Sequence, residues 1–224
     1  MSLNISKGNM YPFITHTWNT VKGKCPHDCS YCYMKRFKQN DTRFDEKEFE
    51  TDLGEGNFIF VGSSCDMWAE DVPKEWILDT LDYCHQFENK YLFQSKNPDR
   101  MLDFIEGLWI PPDSVLGTTI ETNRSYPQMG SAPRPQERAD ALVELKSKIN
   151  FPTMVTVEPV MDFDVDYLHH LIHICNPEWV NIGADSKGHG LPEPSADKIR
   201  ELTDALKEDN IEVKLKDNLK RLGV

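Results

Sequence analysis

Seven short apolar runs, separated by helix-like or turn-rich stretches, constrain the fold of this 224-residue chain more than any other feature. They fall at 14–19, 58–62, 91–95, 115–121, 153–158, 179–183 and 211–215 and are rich in β-branched and aromatic residues. Runs of this kind predict buried strands. Between them the apolar period changes. After Asp71-Val-Pro73, residues Trp76, Ile77, Thr80, Leu81 and Cys84 form one stripe of a helix, with Asp71 as its expected N-cap and Pro73 in its first turn. Helices are also expected over 34–38, 98–107, 135–148, 165–175 and 195–209, with Ser195 capping the last. Strand–helix alternation implies parallel strands joined by right-handed crossovers. Seven units are one short of a closed eightfold barrel. The expected fold is α/β: an open, partial (β/α)6-7 TIM-like barrel with parallel strands, made by residues 1–224 as one domain.

The net charge of −12 argues against a broad basic groove for duplex nucleic acid. No stretch approaches the roughly 18 consecutive apolar residues of a membrane span. Residues 1–24 show no sustained apolar region of a secretion signal. Of the cysteines, three are clustered, while Cys84 and Cys175 fall on apolar helical stripes, as small buried thiols do. This usage fits a reducing, cytoplasmic setting with no membrane partner.

In parallel α/β architectures the site lies beyond the carboxyl ends of the strands. The first strand leads into Cys25-Pro-His-Asp-Cys29-Ser-Tyr-Cys32-Tyr33. Three thiolates at these spacings can wrap one face of a [4Fe–4S] cluster and leave one iron open. A zinc site needs a fourth ligand, and His27, the only local candidate, is badly placed between Cys25 and Cys29. An iron–sulfur or zinc binding module acting through a partner protein is the alternative. Ser63, Ser64, Cys65 and Asp66 follow the second strand; Ser63 and Asp66 are either ligand contacts or caps of the next turn. Lys96 closes the third strand, Glu121 and Asn123 the fourth, and Glu158 the fifth. Asp185 follows the sixth and Lys216 closes the seventh. Charges gathered at one end of a barrel mark a site. The Pro/Gly-rich piece 124–135 is expected as a long loop on the same face. Arg138, just beyond it, either pairs with Glu121 or Glu158, contacts a bound cofactor, or lies on a solvated helix face. His169, His170 and His173 are expected on the surface of an outer helix, although 169 and 173 have metal-compatible spacing.

The Cys-x3-Cys-x2-Cys loop, with an aromatic before its third cysteine, resembles the radical S-adenosylmethionine (SAM) signature. Two groups in that superfamily are similar. The first is a small phage-associated group of no settled activity. It is matched by Thr17-Trp-Asn19, Cys25 to Met34, Phe60-Val-Gly-Ser-x-x-Asp66, Glu158-Pro159, Gly183-Ala-Asp-Ser186 and Lys216. That group favours Trp-Asn-Pro and Gly-Gly-Glu-Ser where this chain has Trp-Asn-Thr and Gly-Ala-Asp-Ser. The second is the spore photoproduct lyase-like group, matched by Cys29-x-Tyr-Cys32-Tyr, a serine after the second strand, Ser95-Lys96 and the Pro-rich loop leading to Arg138.

The resemblance implies that Cys25, Cys29 and Cys32 ligate the cluster, whose open iron chelates SAM. Tyr31 and Tyr33 would flank the adenine, Ser63, Ser64 and Lys96 hold the methionyl end, and Glu121 and Asn123 the ribose, with Glu158 also at the cofactor. Reductive cleavage of SAM would give a 5′-deoxyadenosyl radical that abstracts hydrogen from substrate. An electron donor of the flavodoxin or ferredoxin kind is implied. Asp66, Asp185 and Lys216 would orient the substrate, a nucleobase or nucleotide first, or a macromolecule that caps the open barrel, with a peptide or small metabolite also open. For Cys65 two roles stay open, structural thiol and hydrogen-atom donor, its register against the serine being reversed from the lyase group.

Overall fold

The computed structural model describes residues 3–105, 107 and 109–224. Each expected run forms a strand: β2 (His16–Trp18), β5 (Phe58–Val61), β6 (Lys90–Ser95), β7 (Ser114–Thr119), β8 (Thr153–Val157), β9 (Trp179–Ile182) and β10 (Glu212–Leu215). They lie side by side in the order β2-β5-β6-β7-β8-β9-β10, every neighbouring pair parallel. A short N-terminal strand, β1 (Asn4–Ile5), adds antiparallel to β2. The other strands, β3 (Val21–Lys22) and β4 (Arg43–Phe44), form a separate small ribbon whose two strands flank the cysteine loop. No pairing joins β10 back to β2 among the described residues, so the barrel is open. The α/β class and the partial barrel hold as expected.

The strands read as continuous apolar runs because both of their faces are covered. All of β8 is buried, for example. Outside, four helices pack their stripes on the sheet. In α1 (Lys74–Cys84) the buried residues are Ile77, Thr80, Leu81 and Cys84, and α2 (Pro135–Lys148) buries Ala139, Leu142 and Leu145. In α3 (Val165–Cys175) they are Leu168, Leu171, Ile172 and Cys175, and in α4 (Ala196–Glu208) Ile199, Leu202, Thr203 and Leu206. In α1, α3 and α4 these are the i, i+3, i+4, i+7 positions of a helix with one apolar face, and in α2 they recur at every third residue. Ser195 caps α4, its Oγ accepting from the Lys198 amide at 3.4 Å. Asp71 does not cap α1: Pro73 occupies the N-cap with no side-chain bond, since the chain has already turned before the helix begins. The helices expected at 34–38 and 98–107 are 3-10 turns, Tyr33–Arg36 and Pro98–Phe104. Short segments tighten in this way because they lack length for an α-helical hydrogen-bond ladder. Within the second expectation, Glu106 lies outside the described residues.

Inside, the barrel is filled by a segment that the strand pattern does not foresee. Residues 10–14 run across its inner face. Tyr11 and Ile14 pack with Leu92, Val115 and Met154, flanked by Phe58, Phe60 and Trp179. The Phe13 ring lies 5.5 Å from that of Trp179, edge to face. The Tyr11 hydroxyl donates to Gln94 Oε1 at 2.9 Å and lies 2.8 Å from Thr156 Oγ1. This strap makes up for the missing eighth unit from within and leaves the carboxyl-end mouth open.

Candidate active site

A cavity of about 570 Å³ opens at the carboxyl ends of the strands. That size suits a cofactor together with part of a second ligand. Cys25, Cys29 and Cys32 all line it, as do Tyr31 and Tyr33 from the same loop. Two braces hold the loop. The Lys35 ammonium reaches back to the Asp28 carboxylate at 2.7 Å. More important is the Pro/Gly-rich loop. The Ser30 amide donates to Gln128 O at 2.8 Å, the Ser131 amide to His27 O at 2.8 Å, and the Ser131 hydroxyl to Pro26 O at 2.8 Å. The Cys29 thiol donates to Met129 O at 3.1 Å.

Gly130 makes that embrace possible. It has φ of +64°, and a Cβ there would sit 2.0 Å from the His27 carbonyl oxygen. Gly130→Ala is therefore expected to cost more than about 1 kcal/mol, because a strained φ is added to a backbone clash. A fall in Tm of about 2–4 °C or more, read by circular dichroism, checks this. An unchanged Tm contradicts the bracing.

Beneath the loop is a buried polar hub around Asp66. Its carboxylate accepts from the Ser95 hydroxyl at 2.9 Å, the Lys96 amide at 2.9 Å and the Trp68 amide at 3.0 Å, and meets His27 Nε2 at 2.9 Å. Burial pushes the Asp66 carboxyl up, but the bond and charge of His27 outweigh it and the net shift is down. Burial likewise pushes His27 down, and its bond to Asp66 more than restores it, so its pKa is raised. His27 therefore supports the loop from below. Sequence reasoning weighed it only as a zinc ligand, and nothing in the local spacing points to a partner on another strand end. Asn19, from Trp-Asn, accepts from the Ser64 amide at 2.8 Å and the Ser63 hydroxyl at 3.2 Å, which shapes the turn that carries Ser63, Ser64 and Cys65 to the cavity wall. The Cys65 thiol lies beside that of Cys25, and this interaction, against burial, lowers the Cys25 pKa. Burial raises the pKa of Cys29 and of Cys32.

On the opposite wall, Lys216 pairs with Glu158 at 2.7 Å and donates to Asn9 O at 2.6 Å. Both side chains pack against Gly183, where a Cβ would meet Glu158 Cδ at 2.7 Å. Asp185 also faces the cavity; it accepts from the Lys187 amide at 3.0 Å and bonds His189 Nδ1 at 2.6 Å. The Tyr33 hydroxyl donates to Ser63 O at 3.0 Å.

Two residues expected at a ribose stand elsewhere. Glu121 has no exposed surface and does not line the cavity. One carboxylate oxygen accepts from the Lys96 ammonium at 2.8 Å and from the Tyr31 hydroxyl, the other from the Arg138 guanidinium at 2.6 Å. Arg138 is as fully buried, so the solvated-face alternative fails and the pairing with Glu121 holds. Asn123 turns away from the cavity and bonds Asp164, donating to its carboxylate at 3.1 Å and accepting from its amide at 2.8 Å. Charge at a strand end does not reveal which side of the barrel wall the side chain takes.

The donor set fits an iron–sulfur cluster better than a single ion. Three thiols of one loop face one cavity, yet among the described residues they are not gathered within 4.8 Å of one another, as ligands of one ion are. A cluster spaces its sulfurs more widely than one metal atom does.

The architecture is the open partial barrel of known α/β enzymes. A cysteine-to-serine variant of spore photoproduct lyase superposes with TM-score 0.68 at 9% identity, covering 95% of this chain and 79% of that one. Another spore photoproduct lyase variant, with bound AdoMet and dinucleoside spore photoproduct, gives 0.59 at 10% identity, covering 90% and 63%. SuiB of Streptococcus suis bound to S-adenosylmethionine gives 0.55 at 9% identity, covering 89% and 49%. No curated protein sequence shows a significant match. The chain itself belongs to the family described as a protein of unknown function, DUF5131, whose model matches residues 10–218.

Proposed function

We propose that this protein is a radical SAM enzyme that acts on a nucleobase or nucleotide. The observation that carries the proposal is the placement of three sulfurs, Cys25, Cys29 and Cys32, on one braced loop facing a cavity at the carboxyl ends of parallel strands. These thiolates would hold a [4Fe–4S] cluster by three corners. When bound, cluster and SAM supply a one-electron reductive cleavage that yields a 5′-deoxyadenosyl radical able to take hydrogen from substrate.

The chain's own residues bind and orient. Lys96, lying 5.1 Å above the Tyr31 ring and anchored by Glu121, offers a fixed cation to the methionyl carboxylate. Ser63, Ser64 and Tyr33 line the adjoining wall and supply polar contacts to the rest of the cofactor. Glu121 acts from behind, holding Lys96 and Tyr31, rather than touching the ribose. Asp66 fixes the loop floor, and Asp185, Glu158 and Lys216 present charge to the substrate side of the cavity. A nucleotide substrate is supported by Lys35 and Arg36 on the rim and by Tyr33, which is 41% exposed there and available for stacking on a base. It is also supported by the dinucleoside photoproduct bound in a protein of the same fold. The electron comes from a donor of the flavodoxin or ferredoxin class.

The contact between Cys25 and Cys65 supports a second reading, a closed four-thiol site in a non-enzymatic iron–sulfur or zinc module. Anaerobic reconstitution with iron and sulfide, followed by an assay for 5′-deoxyadenosine from SAM, separates the two. The expected result is a brown protein that cleaves SAM, and a Cys65→Ala variant that keeps its chromophore. Zinc alone with no cleavage, or loss of the chromophore in Cys65→Ala, favours the closed module.

No helix among the described residues is long and apolar enough to cross a membrane.

A further inference from the structure

The carboxyl ends of α3 and α4 bring together a group of side chains at the far end of the barrel from the cavity. His169 and His173 stand one turn apart on α3, so both imidazoles leave the same face. Asp209 is the C-cap residue of the neighbouring α4. His169 Nε2 lies 2.7 Å from Asp209 Oδ2, and His173 Nδ1 lies 2.7 Å from the same oxygen. These ligand atoms all fall within 4.8 Å of one another.

We propose that His169, His173 and Asp209 form a binding site for a divalent cation of the zinc class. Two imidazoles at i, i+4 on a helix and one carboxylate are a donor set that zinc accepts, with a fourth position left to water. Metal–ligand bonds of about 2.0–2.2 Å separate tetrahedral ligands by about 3.3–3.6 Å, wider by roughly 0.6–0.9 Å than the 2.7 Å from each imidazole to Asp209. Small rotations of exposed rings supply that difference. The surroundings favour a cation. His173 is in the last turn of α3 and Asp209 ends α4, so the negative ends of two helix dipoles converge on the site. On α3, Asp166 stands one turn before His169, which adds negative charge to that face. The ligands already lie in place: the rigid faces of α3 and α4 are fixed by Leu168, Leu171, Leu202 and Leu206 beneath them, so binding orders little chain. Access needs no opening, because the His173 side chain is 56% exposed and those of His169 and Asp209 are 28% and 25% exposed. A bound ion takes the place of the two hydrogen bonds to Asp209, each neutral imidazole keeping its proton on the ring nitrogen that faces away from the metal, and ties α3 to the turn entering β10.

The site is independent of the cysteine loop, and a difference measurement keeps it so. Equilibrium dialysis of the full chain against Zn²⁺, under anaerobic conditions, counts ions bound by the wild type and by His173→Ala and His169→Ala. Whatever the thiols take up is common to all three proteins. The expected result is one equivalent fewer in each variant, and a Tm that rises with zinc in the wild type more than in either variant. Asp209→Asn is expected to weaken this site by at least about tenfold, the smaller end of the cost of losing even a supporting partner of a metal ligand. Circular dichroism confirms that each variant is folded; His173 is exposed enough for its substitution to leave the core intact. If folded His173→Ala or His169→Ala binds as many ions as the wild type, the site does not exist.

Discussion

Cys29→Ala is expected to abolish both the brown chromophore and reductive SAM cleavage, down to the level of a protein-free blank. Cys29 is the most buried of the three loop thiols, 6% exposed, and its Sγ is already aimed by the Met129 carbonyl. Removing it leaves two thiolates for a group that is normally held by three or more. The loop itself should persist, because its main ties run through the backbone of His27 and Ser30. Far-UV circular dichroism close to that of the wild type, together with loss of iron and of 5′-deoxyadenosine, is the expected pattern. Cleavage at the wild-type rate by a folded Cys29→Ala protein removes the radical account.

The second large effect is on stability. Glu121→Ala is expected to cost about 3–5 kcal/mol, because it leaves the Arg138 guanidinium buried without its counter-charge. That is a large share of the roughly 5–15 kcal/mol that holds a typical native protein together. Urea denaturation of wild type and variant measures the difference, and a cost under about 1 kcal/mol rules out a buried ion pair as described. The same group gives a pH signature. Burial pushes the Glu121 carboxyl up, but the Arg138 and Lys96 charges more than offset this and lower it from 4.5 to about 2. A depressed folded pKa means that the unfolded chain takes up its proton first. The contribution is therefore fully present above about 4.5 and is lost as pH falls toward 2. The wild type should lose stability across that window more steeply than Glu121→Gln.

The parallel strands were legible because burial on both faces leaves apolar, β-branched runs with sharp ends. Thr153–Val157 is one such run, and it lies inside the sheet between β7 and β9. The cysteine loop was legible because its spacing is local. The residues that were misplaced or missed depend on distant partners. Glu121 and Asp185 look alike in sequence, each a carboxylate just beyond a strand, yet one is sealed beneath Arg138 and the other faces the cavity. What separates them is the arginine on the following helix, which could have been read either way. The pairing of His27 with Asp66 joins residues on different strand ends and leaves no periodic trace. The inner strap had a signal that could have been used: Met10-Tyr-Pro-Phe-Ile14 is too apolar for a free terminus and contains a proline that a central strand rejects.

The tie between Lys216 and Asn9 spans 207 positions of sequence. It completes one wall of the cavity using the beginning and the end of the fold. During synthesis the nascent polypeptide can lay down its sheet as far as β9 while that wall is still missing. The pocket is therefore finished only when β10 and Lys216 have left the ribosome, and a product that stalls before them carries its cysteines in an unfinished mouth.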